Sequence, residues 1–240
     1  MLKNKIPILM YHSIETMPKS TVMRSLHVPI RRFRFQMWLL RMMGYKGLSL
    51  RDLKPYLDGK QKGKVVGITF DDGYQNNFLN ALPILKRNNF TATSYLVSGR
   101  IGQENIWDLD HGITQSPLMS NAEINEWLDF GMDIGAHTVS HEDLNKISLS
   151  DAQYQIQQCK YDLEKSFNIT IMDFCYPYGR LNERVTDIVK DSGYQTATTM
   201  IRGRASLGSN YLKLPRIPIT HHTLPHLFLL KILSNYEDKR

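Results

Sequence analysis

Short runs of apolar and β-branched residues alternate with longer amphipathic stretches along nearly the whole chain. The runs at 8–11, 47–50, 65–70, 92–97, 132–136, 171–176, 195–199 and 213–219 read as buried strands. Between them lie helical patterns. From Pro29, Phe33, Met37 and Leu40 fall near a 3.6-residue period, and Gly44 stops the run. Ser49 is placed to cap a short helix through Arg51-Asp52-Leu53. Residues 76–88 carry Phe78, Leu82 and Leu85 on one face, with Pro83 bending or restarting the helix. Ser120-Asn121-Ala122-Glu123 spells a capping box that opens a helix to Phe130. Further helices are expected at 150–167 with Ser148 or Ser150 as cap, at 182–191 closed by Gly193, and at 224–233. Residues 15–29, 54–64 and 98–119 read as loops, and His111 in the last of these as solvent-exposed. The strand–helix rhythm predicts an α/β fold built on a parallel sheet or barrel. No linker or internal repeat interrupts it, so residues 1–240 are expected to form a single domain.

Composition narrows this little. A hydrophobic fraction of 42% and a charged fraction of 22% are ordinary for a globular chain. The net charge of +7 allows an anionic partner, including peripheral contact with an anionic membrane. No long Lys/Arg block is present, so nucleic acid is not expected, and no partner protein is evident. Cys159 and Cys175 form no CxxC pair, which gives neither a zinc knuckle nor a disulfide framework. The first residues lack a signal h-region and no apolar stretch is long enough to span a bilayer, so the expected location is cytoplasmic, at or near the inner face of the membrane.

The ends of the candidate strands carry the chemistry. His12, Asp71-Asp72, His137 and Tyr176-Pro177-Tyr178-Gly179 each follow a strand, where α/β folds gather ligands. Two adjacent carboxylates are costly to ionise together unless a cation or a proton is shared. Asp72-Gly73 is also a strong turn signal, so these residues alone leave metal binding, acid–base work and a surface turn open. His137 and His141, spaced i, i+4, can face one ion from a helical turn or a tight loop. One carboxylate and two histidines would leave open positions for water and substrate, with Zn²⁺ favoured and Co²⁺, Ni²⁺ or Fe²⁺ compatible. Trp107 and Trp127 could line a sugar site, although packing is the simpler role.

On these residues the chain resembles a known family. Phe70-Asp71-Asp72-Gly73, His137-Thr138-Val139-Ser140-His141 and Tyr176-Pro177-Tyr178-Gly179 match, in order, the first three motifs of the polysaccharide deacetylases, the NodB-homology domain of carbohydrate esterase family 4. The opening Ile8-Leu9-Met10-Tyr11-His12-Ser13-Ile14 is similar to the branch of biofilm poly-N-acetylglucosamine deacetylases. The resemblance implies a distorted, seven-stranded (β/α) barrel, a TIM-barrel variant. It also implies metal-dependent hydrolysis of the N-acetyl group of an amino sugar in a polysaccharide, oligosaccharide or lipid-linked glycan, with release of acetate. Asp72, His137 and His141 are then the implied metal ligands and Asp71 the general base. The implied oxyanion donor is the backbone N–H of Tyr178.

The chain departs from the commonest family pattern at Cys175, where an arginine that braces the base is usual. Arg216, in Leu214-Pro215-Arg216-Ile217-Pro218, is the expected replacement, brought in from a later strand. The general acid is His12 if the chain follows the biofilm branch. Leu224-Pro225-His226 offers His226 instead, and His222 lies nearby. The alternatives are a non-sugar amide hydrolase on the same barrel, or a catalytically silent carbohydrate-binding domain, which the cysteine at 175 motivates.

Overall fold

The computed structural model describes residues 5–239; of Asp108, Asp110 and His111 it describes the backbone, so the exposure expected of His111 lies outside the described residues. The described residues form ten strands and seven α-helices: β1 (Lys5–Ile6), β2 (Ile8–Tyr11), α1 (Ile30–Met42), β3 (Lys46–Leu48), α2 (Leu50–Leu57), β4 (Val65–Phe70), α3 (Leu82–Asn88), β5 (Thr93–Leu96), α4 (Asn121–Asp129), β6 (Asp133–Ala136), α5 (Leu149–Phe167), β7 (Asp173–Cys175), α6 (Glu183–Asp191), β8 (Thr196–Arg202), β9 (Ala205–Ser206), β10 (Leu214–Pro218) and α7 (Pro225–Leu233).

Seven parallel strands close a barrel in the order β2, β10, β8, β7, β6, β5, β4, with β4 returning to β2. The expected (β/α) barrel and its strand number are therefore observed. The distortion lies at β4. One edge of it pairs with β2, while the other edge is shared: Val65–Gly67 pairs with β3, and Thr69 and Phe70 pair with β5. β3 thus sits outside the closed ring. A second sheet joins β1 to β9 in antiparallel register, two short strands that hydrophobic patterning could not resolve.

Strand side chains alternate between the barrel interior and the helix layer. Outward-facing Tyr11, Phe70 and Phe33 of α1 form an aromatic cluster, with Tyr11 and Phe33 centroids 5.2 Å apart and Phe70 meeting Trp127 edge-on at 6.0 Å. Trp127 is fully buried and its Nε1 donates to the Asp133 carbonyl, so it belongs to the core and not to a sugar site. At the strand starts, Ile8, Val65 and Leu214 pack with Leu50, Leu53 and Leu57 of α2, which plugs that end.

The predicted caps are present at Ser49 and Ser148, Ser120 with Glu123 forms the full capping box, and Asn182 caps α6 as well. α2 runs four residues past the expected Leu53 and carries Pro55 inside it, because its Leu50, Leu53 and Leu57 stripe has a core to cover. Pro83 behaves as expected: residues Asn77–Ala81 form a π-helical turn and the α-helix restarts at Leu82.

Asp133 and Asp173 open β6 and β7 at the plugged end, buried and hydrogen-bonded to each other, with Thr196 Oγ1 donating to Asp173. Burial, and then the Asp133 charge, push the Asp173 carboxyl above its ordinary range. The folded chain keeps a proton that the unfolded chain releases. This contribution to stability is full below the ordinary carboxylate range and is lost as pH rises through the raised folded value. Asp173→Asn keeps the Thr196 contact and removes the ionisation, so its denaturation midpoint should fall less than the wild type's between about pH 5 and about pH 8.

Candidate active site

Four of the barrel strands deliver polar side chains to one mouth. His12 follows β2, Asp71 and Asp72 follow β4, His137 follows β6, and Tyr176 and Tyr178 follow β7. All of these line one cavity of about 840 Å³.

Asp72, His137 and His141 converge within it. Asp72 Oδ1 lies 3.4 Å from His137 Nε2 and 3.3 Å from His141 Nε2. One donor atom from each residue lies within 4.8 Å of the others, and all three residues are buried. His137 Nδ1 is 2.7 Å from the Cys175 carbonyl oxygen. A carbonyl accepts, so Nδ1 carries the proton and Nε2 presents its lone pair toward Asp72, as a metal-ligating histidine requires. Two imidazole nitrogens and a carboxylate oxygen, buried and convergent, fit a divalent cation.

The segment from His137 to His141 is a tight loop and not a helical turn. Thr138 and His141 have φ of 67° and 63°. Gln155 on α5 pins it: its Oε1 accepts from the N–H groups of Val139 and Ser140 at 2.9 and 3.0 Å, and its Nε2 donates to Ser140 Oγ at 2.8 Å. Thr138 Oγ1 accepts from the His141 N–H at 2.9 Å.

Asp71 points to a different partner. Arg216 Nη1 and Nη2 reach its two oxygens at 2.6 and 2.8 Å, a bidentate pair inside the barrel. The guanidinium also donates to Thr69 Oγ1 at 3.1 Å and to the Thr199 carbonyl at 2.9 Å, and Nη2 lies 3.2 Å from Cys175 Sγ. The register beside it is irregular: from Leu214 to Arg216, β10 advances two residues while β8 advances from Thr198 to Arg202. Burial pushes the Asp71 carboxyl up, but Arg216 more than offsets it and holds the group below its ordinary range. Asp72 is held well below that range too, where burial is overcome by His137 and His141 beside it.

His12 Nε2 lies 3.9 Å from Asp71 Oδ2, and Asn77 Nδ2 fixes the His12 carbonyl at 2.7 Å. His222 and His226 are exposed and take no part in the cavity wall; His226 sits on α7. Tyr178 lines the cavity with φ of 56°, its ring edge-on to His141 at 4.7 Å. Trp107 stacks on His141 at 4.5 Å, so of the two tryptophans it is the one at the site.

Backbone strain gathers here. Of the seven described non-glycine residues with positive φ, Met23, Asp72, His141 and Tyr178 line the cavity and Thr138 supports it; the other two, Asn89 and Asn168, end α3 and α5. Each such residue outside a helix end costs about 1–3 kcal/mol and marks a site held by its surroundings. Gly73, φ 76°, follows Asp72, and a Cβ there would lie 2.9 Å from Leu96 Cδ2.

Gln155 and Asn77 had no motif to announce them. Gln155 falls in the amphipathic pattern of α5 as an ordinary polar position, and Asn77 is a polar residue on a buried helix face, the one local signal available.

The family model for polysaccharide deacetylases matches residues 58–197. YxkH of Bacillus subtilis (strain 168) is 31% identical over 218 residues, covering 90% of this chain and 72% of that protein. A poly-beta-1,6-N-acetyl-D-glucosamine N-deacetylase of Staphylococcus aureus (strain MRSA252) is 28% identical over 200 residues, or 78% of this chain, which spans 66% of that relative's length. Among solved structures, the Streptococcus pyogenes deacetylase PplD in complex with acetate superposes with a TM-score of 0.83 at 28% identity, covering 96% of this chain and 99% of that one. IcaB from Ammonifex degensii shares the fold, with a TM-score of 0.80 at 21% identity and 95% and 97% coverage.

Gln155→Ala frees the loop that carries His141 without touching a ligand. Metal affinity, read by competition with a chelator, should fall about 10-fold or more, the usual effect of removing a support behind metal ligands.

Proposed function

We propose that this chain, which belongs to the polysaccharide deacetylase family, hydrolyses the N-acetyl group of an amino sugar in a glycan and releases acetate. The observation that carries the reading is the pairing of two different carboxylates at one barrel mouth. Asp72 faces His137 and His141, while Asp71 faces Arg216.

Asp72, His137 and His141 would hold the divalent cation, and Zn²⁺ suits two nitrogens and one oxygen best. Such a cation supplies polarisation of the acetamide carbonyl and a lowered pKa for water. The chain's own residues do the rest. Asp71, kept ionised by Arg216, accepts the proton of the attacking water. The Tyr178 N–H supports the carbonyl oxygen as charge develops on it. His12 hands a proton to the departing nitrogen, which leaves poorly as an anion. Its place beside Asp71, with His226 and His222 outside the cavity wall, favours His12 for this role. The buried Arg216 also removes the reason for reading the chain as a silent binding domain, since it supplies the charge that Cys175 does not.

An N-acetylglucosamine polymer of the kind named for the staphylococcal relative is the first substrate to try. Acetate release from poly-β-1,6-N-acetylglucosamine or chitin oligosaccharides should be lost with a chelator and restored by Zn²⁺ or Co²⁺. Absence of acetate from any N-acetylated sugar with the metal bound would refute the reading. Asp72→Asn should weaken metal binding, whereas Asp71→Asn should lower turnover by about 10²–10⁴ and leave the metal in place. Equal loss of metal in both variants would overturn the division of roles. In Arg216→Ala, burial acts on Asp71 without its counter-charge, so the acid limb of the kcat/KM profile should move to higher pH; Arg216→Lys, which restores charge but not the bidentate geometry, should move it part of the way back.

A further inference from the structure

The outer face of α1 does not look like the solvent side of a surface helix. Phe33, Gln36, Met37 and Leu40 are buried against the barrel, as expected. On the opposite side Phe35, Trp38 and Met42 are 40%, 49% and 66% exposed, and Arg31, Arg34 and Arg41 are interleaved with them. The Phe35 and Trp38 rings lie 5.4 Å apart. Across from them α3 contributes Arg87, and the two helices wall a groove of about 880 Å³. Arg41 Nη1 donates to the Arg87 carbonyl at 2.9 Å, which ties the two sides together.

The charge is of one sign. α1, the π-helical turn and α3 contain no Asp or Glu. Among the described residues no carboxylate lies within ion-pair distance of Arg31, Arg34, Arg41 or Arg87. Four uncompensated guanidinium groups in a small area repel one another, and three large apolar side chains beside them gain nothing from water. Both costs vanish against a surface that is anionic at its outer edge and apolar just beneath.

We propose that the α1–α3 face docks the protein on an anionic lipid bilayer. The guanidinium groups meet lipid phosphates while Trp38, Phe35 and Met42 enter the headgroup–acyl boundary. Basic and apolar residues share one face of one helix, the pattern of an interface-lying helix. An acidic protein would satisfy the arginines but leaves no reason for the apolar residues to be interleaved with them. The face is separate from the metal site, so the proposal stands independently of the deacetylase reading.

The test is co-sedimentation of the full chain with vesicles of phosphatidylcholine carrying about 30% phosphatidylglycerol, beside vesicles of phosphatidylcholine alone. The wild type should bind the anionic vesicles, release them in about 0.5 M salt, and show Trp38 quenching by brominated lipid that disappears in Trp38→Phe. Arg34→Gln and Arg41→Gln should each weaken partitioning about fivefold, with acetate release from a soluble oligosaccharide unchanged. All of the changed side chains are exposed, and the salt dependence of the wild type needs no variant. Absence of binding to anionic vesicles, or equal binding by the arginine variants, would overturn the proposal. So would self-association without lipid that Trp38→Ala abolishes, which would make the face a contact between copies of the chain. Loss of acetate release with vesicle binding intact would count against the deacetylase reading and leave the docking face standing.

Discussion

A buried ion pair organises the mouth of this barrel. Taking Asp71 and Arg216 out of water costs several kcal/mol for each ion, on the order of what their mutual attraction returns. The pair is tolerable because every direction of the guanidinium is used: Asp71 by both Nη atoms, Thr69, the Thr199 carbonyl, and the sulfur of Cys175. Removing either charge strands the other in the interior. A cysteine at 175 is then what the space demands: an arginine there would compete with Arg216 for one carboxylate.

The second constraint is the backbone. Asp72, Thr138, His141 and Tyr178 sit in left-handed conformations that ordinary side chains avoid. Gln155 reaches from α5 to the histidine loop, and the Cys175 carbonyl sets the tautomer of His137. The site is therefore as much a product of α5 and β7 as of the residues that face the cavity.

Much of this was legible in the sequence. The strand at Val65–Phe70 and the helix caps have local causes, namely β-branched apolar runs and hydroxyl side chains placed before periodic segments. The separate roles proposed for Asp71 and Asp72 came with the family resemblance, since the two residues alone left a turn open. What sequence could not supply was geometry that depends on distant chain. The i, i+4 spacing of His137 and His141 left helix and loop open, and tertiary hydrogen bonds chose the loop. Trp107 and Trp127 are chemically alike, yet one stacks on a histidine at the site and the other fills the core. The short β1–β9 pairing has no periodicity to detect. Arg216 could be nominated from its strand, but its bidentate contact with Asp71 depends on chain 145 residues away.

The span between Asp71 and Arg216, 145 residues, has a consequence for how the molecule comes to exist. β10 is the last strand to be made, and it closes the ring against β2, one of the first. Until it inserts, Asp71 has no counter-charge and cannot be buried without cost, so the mouth of the barrel stays wet and unformed. Closure of the ring and completion of the site are therefore one late event in folding, with the largest loop-closure entropy in its path. A chain halted before β10 would expose the unpaired edges of β2 and β8, a surface prone to the wrong partner strand.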